Sequence, residues 1–281
     1  MAEAWQAHGF DTQADDGHRW QVFARVPAQP RASLLWLPAL GVAAKHYLPF
    51  AEALAAGGIA VFVHEWRGNG SSNLRPGRRD DWGYHELLTR DLPASEALLE
   101  QQAPGLPRIV GGHSLGGQLA CCHLALSPER ARQLWLVASG APYWRAFPLP
   151  HRLWLPLAYR FLPWLAQRRG SLPGRHIGFG GEEARGLIRD WARTGLSGRY
   201  RAAGLKIDLE AAMGALVDLD VRAVAMQRDW LGPESSLRFL LSKLRHARAT
   251  VDILDSTQLG TRADHFAWMK QPETVAATLL R

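Results

Sequence analysis

GGHSLGG, residues 111–117, is the most informative stretch of the sequence. It contains the pattern G-x-S-x-G centred on Ser114, after a short apolar run at residues 109–110 and before a helical pattern at residues 118–126. Between a strand and a helix, this pattern is typical of a sharp turn that holds the serine in a strained conformation with its hydroxyl exposed. The flanking glycines are expected to give that turn the room it needs. We therefore predict a nucleophilic Ser114, with a glycine-rich turn around an idle serine as the alternative.

Short apolar runs alternate with helical patterns on both sides of this stretch, which is typical of βαβ units around a mostly parallel sheet. The run at residues 20–26 alternates in polarity, and we interpret it as an edge strand. The sequence predicts an α/β protein with a mostly parallel central sheet flanked by helices. The predicted strands cover residues 20–26, 33–37, 59–64, 109–111, 134–138, 223–226 and 250–254.

The alternation stops between residues 145 and 215, where no clear strand is found. Ten arginines and three acidic residues lie between residues 145 and 200. We predict that residues 145–215 form a helical cap, inserted into an α/β core made of residues 1–144 and 216–281.

Within the predicted cap, four large apolar residues recur at helical spacing: Leu153, Leu157, Phe161 and Trp164. This spacing predicts an amphipathic helix packed on the core. The alternative is a wall for an acyl chain or a surface that touches lipid.

The composition is that of a globular protein, with 47% hydrophobic and 21% charged residues. Cys121 and Cys122 are adjacent, and adjacent cysteines rarely pair with each other, which predicts a reduced, cytoplasmic protein. The sequence shows no signal-peptide pattern, so we expect no secretion. It shows no zinc-type Cys/His spacing and no nucleic-acid-binding motif, so we expect no metal, no cofactor and no nucleic-acid partner. The net charge of +7 also suits an anionic substrate or membrane surface, although a solvated basic surface is the favoured interpretation.

A serine hydroxyl becomes a nucleophile when a base takes its proton and an acid holds the base. In this topology the expected chain order is serine, acid, histidine. Asp229 follows the predicted strand at residues 223–226, and His265 follows the one at residues 250–254. We therefore predict that Ser114, Asp229 and His265 are the catalytic residues.

Other acids and histidines are less well placed. Asp255 ends the later strand and is the main alternative acid. Asp220 precedes its strand, at the wrong end of the sheet, and Asp264 is too close in sequence to reach the ring of His265. His113 lies inside the turn and is expected to pack or hydrogen-bond locally.

Four segments resemble those of the α/β-hydrolase superfamily, in particular the serine aminopeptidase S33 and monoacylglycerol lipase-like hydrolases. GGHSLGG is similar to their nucleophile elbow, and RDWLGP, residues 228–233, to their acid-bearing D-x-x-x-P turn. DHF, residues 264–266, resembles the histidine turn. EWRGNGSS, residues 65–72, resembles a D-x-R-G-x-G-x-S stretch with glutamate in place of the aspartate. The resemblance covers the chain from about residue 33 to the end, apart from the cap.

The resemblance implies the same triad and an oxyanion hole made by the backbone N–H groups of Leu40 and Leu115. The family's usual His-Gly pair is replaced in LPALG, residues 37–41, and Pro38 has no N–H to donate. This departure bears on efficiency more than on chemistry, because a backbone donor does not depend on its side chain. One of residues 45–47 is expected to line the mouth of the pocket. In EWRGNGSS the arginine is interpreted as a tie between loops.

Together these observations predict a serine hydrolase that cleaves a small-molecule carboxylic ester, lipid-like or another acyl ester, through an acyl-enzyme. An S33-type peptidase or an acyltransferase with the same triad, and a non-catalytic ligand-binding member of the fold, are the alternatives. A peptidase of this type needs acidic residues to hold a free amine, and the basic cap weighs against it. Haloalkane dehalogenases and epoxide hydrolases carry aspartate at the position of Ser114, which disfavours both. The cap arginines predict either weak contact with an anionic membrane surface or a solvated outer face.

Overall fold

A computed structural model describes residues 5–281 of the chain. Eight strands form one sheet, and two short strands form a separate pair. In chain order the strands are β1 (Trp5–Gln13), β2 (Arg19–Pro27), β3 (Ala32–Leu37), β4 (Ile59–Val63), β5 (Arg108–His113), β6 (Gln133–Val137), the separate pair β7 (Leu172–Pro173) and β8 (Glu182–Glu183), then β9 (Asp220–Met226) and β10 (Arg248–Leu254).

The strand order in the sheet is β1-β2-β4-β3-β5-β6-β9-β10. Strand β2 is antiparallel to both of its neighbours, and all other pairs are parallel. Every residue of β3 and of β4 is buried, as expected for strands covered on both faces. Because the parallel strands run the same way, the segments that follow them meet at one edge of the sheet.

Helices cover both faces of this sheet. One apolar core includes Leu35 and Leu37, and the core on the other face includes Leu34 and Trp36, as the alternation of side chains along β3 requires.

No helix among residues 5–281 is long and apolar enough to cross a membrane. The α-helices are α1 (Leu48–Ala56), α2 (Tyr84–Glu86), which continues through a π-helical turn (Leu87–Asp91) into α3 (Leu92–Gln102), α4 (Leu115–Leu126), α5 (His151–Arg169), α6 (Gly174–Ile177), α7 (Arg185–Ser197), α8 (Leu209–Gly214), α9 (Glu234–Leu241), α10 (Ser256–Leu259) and α11 (Glu273–Leu280).

The predicted fold class is confirmed, but the position assigned to residues 20–26 is wrong. These residues lie in β2, which is an inner strand, and the edge strand is β1. Strand β1 is largely polar and pairs with β2 over nine residues. Its pairing rests on backbone hydrogen bonds, so its sequence carries little of the apolar pattern by which strands are recognised.

Residues 145–215 lie between β6 and β9 and contain the helices α5, α6, α7 and α8. They also contain the pair β7–β8, which the sequence did not predict because each of its strands has only two residues. The division of the chain into a core and a cap with these boundaries stays a prediction.

The packing predicted for the long cap helix is wrong. In α5 the residues Leu155, Tyr159 and Ala166 are buried, and the helix packs mainly against α7. The four residues predicted to face the core instead face solvent. Their exposed fractions are 72% for Leu153, 67% for Leu157, 52% for Phe161 and 53% for Trp164. Both sides of α5 carry apolar residues, so periodicity alone could not show which side is buried.

Candidate active site

The turn between β5 and α4 holds Ser114 with φ 55° and ψ −120°. A non-glycine residue with positive φ is strained and persists only where its surroundings impose it. A Cβ added at Gly112 would lie 2.4 Å from the backbone carbon of Gly116, and one added at Gly116 would lie 2.0 Å from the carbonyl oxygen of Leu37. The expectation that these glycines make room for the turn is therefore confirmed. The hydroxyl of Ser139 donates to the carbonyl oxygen of Ser114 at 2.7 Å and helps to hold the turn.

Asp229 and His265 are hydrogen-bonded at the same edge of the sheet. Oδ2 of Asp229 lies 2.7 Å from Nδ1 of His265, and both side chains are buried. The other carboxylate oxygen of Asp229 accepts from the backbone N–H groups of Leu231 and Gly232, each at 2.9 Å. Both oxygens are thus engaged, and the carboxylate is held in one orientation. With Nδ1 directed at Asp229, Nε2 is the nitrogen of His265 left for proton transfer.

The competing residues have other partners. Asp255 caps α10. Asp220, the first residue of β9, accepts a hydrogen bond from Arg248, the first residue of β10. Asp264 accepts hydrogen bonds from the backbone N–H groups of the two residues after His265. Of the four candidate acids, Asp229 is the one whose carboxylate is hydrogen-bonded to the ring of His265. The assignment of catalytic roles nevertheless stays a prediction.

The hydroxyl of Tyr47 anchors the segment that carries the predicted oxyanion donor Leu40. It accepts from the backbone N–H of Ala39 at 2.8 Å and lies 2.8 Å from Nδ1 of His113. Burial lowers the pKa of His113 well below its usual value, so the ring is neutral and accepts the hydroxyl proton of Tyr47. Burial also raises the pKa of Tyr47, which keeps the hydroxyl protonated.

Tyr47 therefore does not line a pocket mouth, since it is completely buried, whereas Lys45 and His46 are exposed. Sequence reasoning missed its role. A tyrosine directly before the first helix was the available signal, but one of its two polar partners, His113, lies 66 residues away in the chain.

The predicted cap contacts residues 37–41, the predicted oxyanion segment, through the loop before β8. Leu40 and Leu115, the two predicted donors, line a small cavity together with Glu183 of β8. The carboxylate of Glu183 accepts from the backbone N–H of Gly181 at 2.7 Å, and burial raises its pKa to about 7. A Cβ added at Gly41 would lie 2.1 Å from the nitrogen of Gly181, so the two loops are in direct contact. No pattern in the sequence indicated that an acidic residue of the predicted cap lies here.

The segment at residues 65–72 has a structural role, as interpreted from the sequence. Arg67 donates to both oxygens of Asp91 at 2.7 Å and pairs with Asp16 at 2.7 Å. It thus ties the β1–β2 turn to the π-helical segment. Glu65 accepts from two backbone N–H groups, and burial raises its pKa to about 7.

A mostly parallel sheet with a serine elbow after β5, and an acid and a histidine after two later strands, defines an α/β hydrolase. Within that class, the chain belongs to the serine aminopeptidase S33 family, whose sequence profile matches residues 28–190. The resemblance stated from the sequence is therefore confirmed, and the chain is a hydrolase by family. The match includes Ser114 but ends before Asp229 and His265, so the placement of those two rests on the geometry above.

Solved structures with the same fold are distant in sequence. The esterase Pf2001 of Pyrococcus furiosus is 15% identical with a TM-score of 0.60, covering 98% of this chain and 91% of its own. The N-formylmaleamic acid deformylase of Pseudomonas putida S16 is 18% identical with a TM-score of 0.61, covering 98% and 100%. The esterase domain of a Rhodothermus marinus protein is 17% identical with a TM-score of 0.62, covering 98% of each chain. No curated protein matches the sequence.

Proposed function

We propose that the protein is a serine hydrolase that cleaves carboxylic esters through an acyl-enzyme. The observation that carries the proposal is the 2.7 Å hydrogen bond between Asp229 and His265 at the sheet edge where the strained turn presents Ser114. The names of the esterases from Pyrococcus furiosus and Rhodothermus marinus agree with an ester substrate.

In this proposal, Nε2 of His265 takes the proton of Ser114 Oγ as Oγ attacks the ester carbonyl carbon. Asp229 keeps the ring oriented and stabilises the imidazolium that forms. The tetrahedral intermediate collapses as His265 returns the proton to the leaving alcohol, which leaves an acyl group on Ser114. Water then attacks the acyl carbon with His265 as base, releasing the acid and restoring the serine.

The backbone N–H groups of Leu40 and Leu115 are the proposed oxyanion donors. Tyr47 takes the neighbouring N–H of Ala39, so the segment is held without the family's usual His-Gly pair. Such donors stabilise the charge that develops on the carbonyl oxygen, and one of them is typically worth about 3 kcal/mol.

The test is turnover of p-nitrophenyl esters of graded chain length, together with labelling by a fluorophosphonate probe. We expect Ser114→Ala to abolish both, because the probe reacts only with an activated serine. The matched control is Ser235→Ala, since Ser235 is exposed and outside the site, and it should retain both. Undiminished labelling of Ser114→Ala would overturn the assignment, and a wild-type protein that is never labelled would favour a non-catalytic member of the fold.

A peptidase acting at a free amino terminus is the second candidate, because Glu183 lines the cavity beside Leu40 and Leu115. Its carboxylate offers an acidic group of the kind that such a peptidase needs, although the predicted cap as a whole is basic. Aminoacyl p-nitroanilides with free and acetylated amines distinguish the two functions. A peptidase would prefer the free amine, and Glu183→Gln would remove the preference while leaving ester turnover in place.

We also infer a reducing, cytoplasmic location. Cys121 and Cys122 are both free and buried in α4, and burial raises the pKa of Cys121 to about 12, so its thiol is unreactive. The test is fractionation of the native cells with an antibody to the protein. Recovery from a secreted or periplasmic fraction would contradict this inference.

A further inference from the structure

The outward side of α5 is an exposed apolar surface. It contains residues one turn apart along the 19-residue helix, whose opposite side packs on α7. Large apolar side chains gathered in one exposed patch mark an interaction site more often than scattered ones do. We call this patch the α5 surface; its members on the helix are Leu153, Trp154, Leu157, Phe161 and Trp164, and the exposed Trp230 adjoins them.

The α5 surface continues to the predicted catalytic residues. The rings of Trp154 and Trp230 have centroids 6.2 Å apart, and the ring of His151 stacks on Trp230 at 5.5 Å. Trp230 directly follows Asp229 in the chain. The α5 surface therefore extends from the cap to the edge of the sheet that carries the candidate active site.

The chain segment that contains α5 carries charge of one sign. No aspartate or glutamate occurs between residues 130 and 181, whereas six arginines lie between residues 145 and 175. Four of them are on α5 itself and are exposed: Arg152, Arg160, Arg168 and Arg169. Within residues 5–281, none of these four forms an ion pair with a carboxylate, although arginines later in the cap do.

This combination identifies the chemistry of the partner. Apolar side chains beside arginines on one helix match a bilayer interface, where acyl chains lie next to phosphate groups. The guanidinium group is well suited to phosphate because it donates two parallel hydrogen bonds and stays charged. In Arg168 the guanidinium carbon lies 5.7 Å from the centre of the Trp164 ring, so charge and apolar area are directly adjacent.

We propose that the α5 surface binds lipid bilayers that contain anionic phospholipids. Leu157, Phe161 and Trp164 enter the acyl-chain boundary, and Arg160 and Arg168 contact the phosphates. Binding in this way brings the edge of the sheet with Asp229 to the lipid surface. The binding itself needs no bond cleavage and is independent of the function proposed above.

The experiment is co-flotation of the protein with vesicles of phosphatidylcholine, with and without phosphatidylglycerol. Both the wild type and Ser114→Ala are used, so that loss of hydrolysis cannot be mistaken for loss of binding. We expect both to float with the anionic vesicles and to be released by salt, because attraction between exposed charges is screened within about 8 Å at physiological ionic strength.

Two variants test the surface itself. Leu157→Asp should weaken binding at least about tenfold, since it removes a large apolar contact and adds a negative charge. Arg160→Gln should weaken it about fivefold, the effect typical of one arginine near an anionic leaflet. The matched controls are Val217→Asp and Arg245→Gln, at exposed positions before β9 and β10 on the opposite edge of the sheet, and both should bind like the wild type.

Three results would overturn the proposal. The first is a wild type that does not float with anionic vesicles, and the second is Leu157→Asp binding like its control. The third combines two measurements: neither the wild type nor Leu157→Asp binds vesicles, and in sedimentation velocity the wild type self-associates whereas Leu157→Asp is monomeric. The α5 surface would then join two copies of this chain.

Discussion

Replacing Tyr47 by phenylalanine tests whether its hydroxyl holds the oxyanion segment. The hydroxyl satisfies two buried groups at 2.8 Å each, the backbone N–H of Ala39 and Nδ1 of His113. Phenylalanine fills nearly the same volume but leaves both groups without a partner. A buried polar group without a partner costs about 1–3 kcal/mol, so Tyr47→Phe should lower the free energy of unfolding by roughly 3 kcal/mol.

The same change should reduce activity more than stability alone would explain. Without its anchor, the segment of Ala39 no longer holds the N–H of Leu40 in place. If that donor is lost, kcat for a p-nitrophenyl ester should fall about 100-fold. KM should change much less, because the donor acts mainly on the charge that develops in the transition state.

Tyr200→Phe is the matched control. Tyr200 is also completely buried, but its hydroxyl has no hydrogen-bond partner in the part of the chain that the structure describes. Removing it should leave the free energy of unfolding unchanged or slightly higher. Urea unfolding with unchanged m-values measures both variants. Equal stability of the two variants, with wild-type kcat in Tyr47→Phe, would refute the proposed role of Tyr47.

Three further predictions concern the acid, the cap and the loop contact. Asp229→Asn should reduce kcat for esters by several orders of magnitude while Asp255→Asn stays close to wild type, and the reverse order in a kinetic comparison would move the acid to the later strand. The folded-state pKa of Glu183 is raised to about 7 from 4.5, so folding takes up a proton and stability falls as pH rises through that window. In Glu183→Gln the loss of stability between pH 4.5 and 7 should be about 3 kcal/mol smaller than in the wild type, and the remaining loss comes from Glu65. Urea unfolding across that pH range measures the difference, and a pH profile like that of the wild type would contradict the prediction. Gly41→Ala, at φ 72° and against Gly181, should lower both kcat and the thermal midpoint, and wild-type values would show that the two loops do not need their contact.

The class of the protein and the strained turn at Ser114 could both be predicted from the sequence. Apolar runs that alternate with helical patterns predict a parallel sheet, because period and length are local properties of the chain. The glycine pattern around Ser114 can also be recognised locally, because it lies within seven consecutive residues, although the space at Gly116 is limited by the carbonyl oxygen of Leu37 in another strand. Asp229 and His265 could be placed after their strands because parallel strands bring those segments to one edge.

Which of several similar residues lie together at that edge, and which helix faces are buried, depends on tertiary packing. Asp229 and Asp255 both follow strands, and the choice depends on a 2.7 Å contact between segments 36 residues apart. Glu183 lies beside the predicted oxyanion segment because the loop before β8 packs against it, and this packing leaves no periodic signal in either segment. In α5 the apolar residues on both sides fit helical spacing equally well, and the position of α7 selected Tyr159 and its neighbours for burial. Contacts between distant segments depend on how whole elements pack, and that packing is absent from any single window of the sequence.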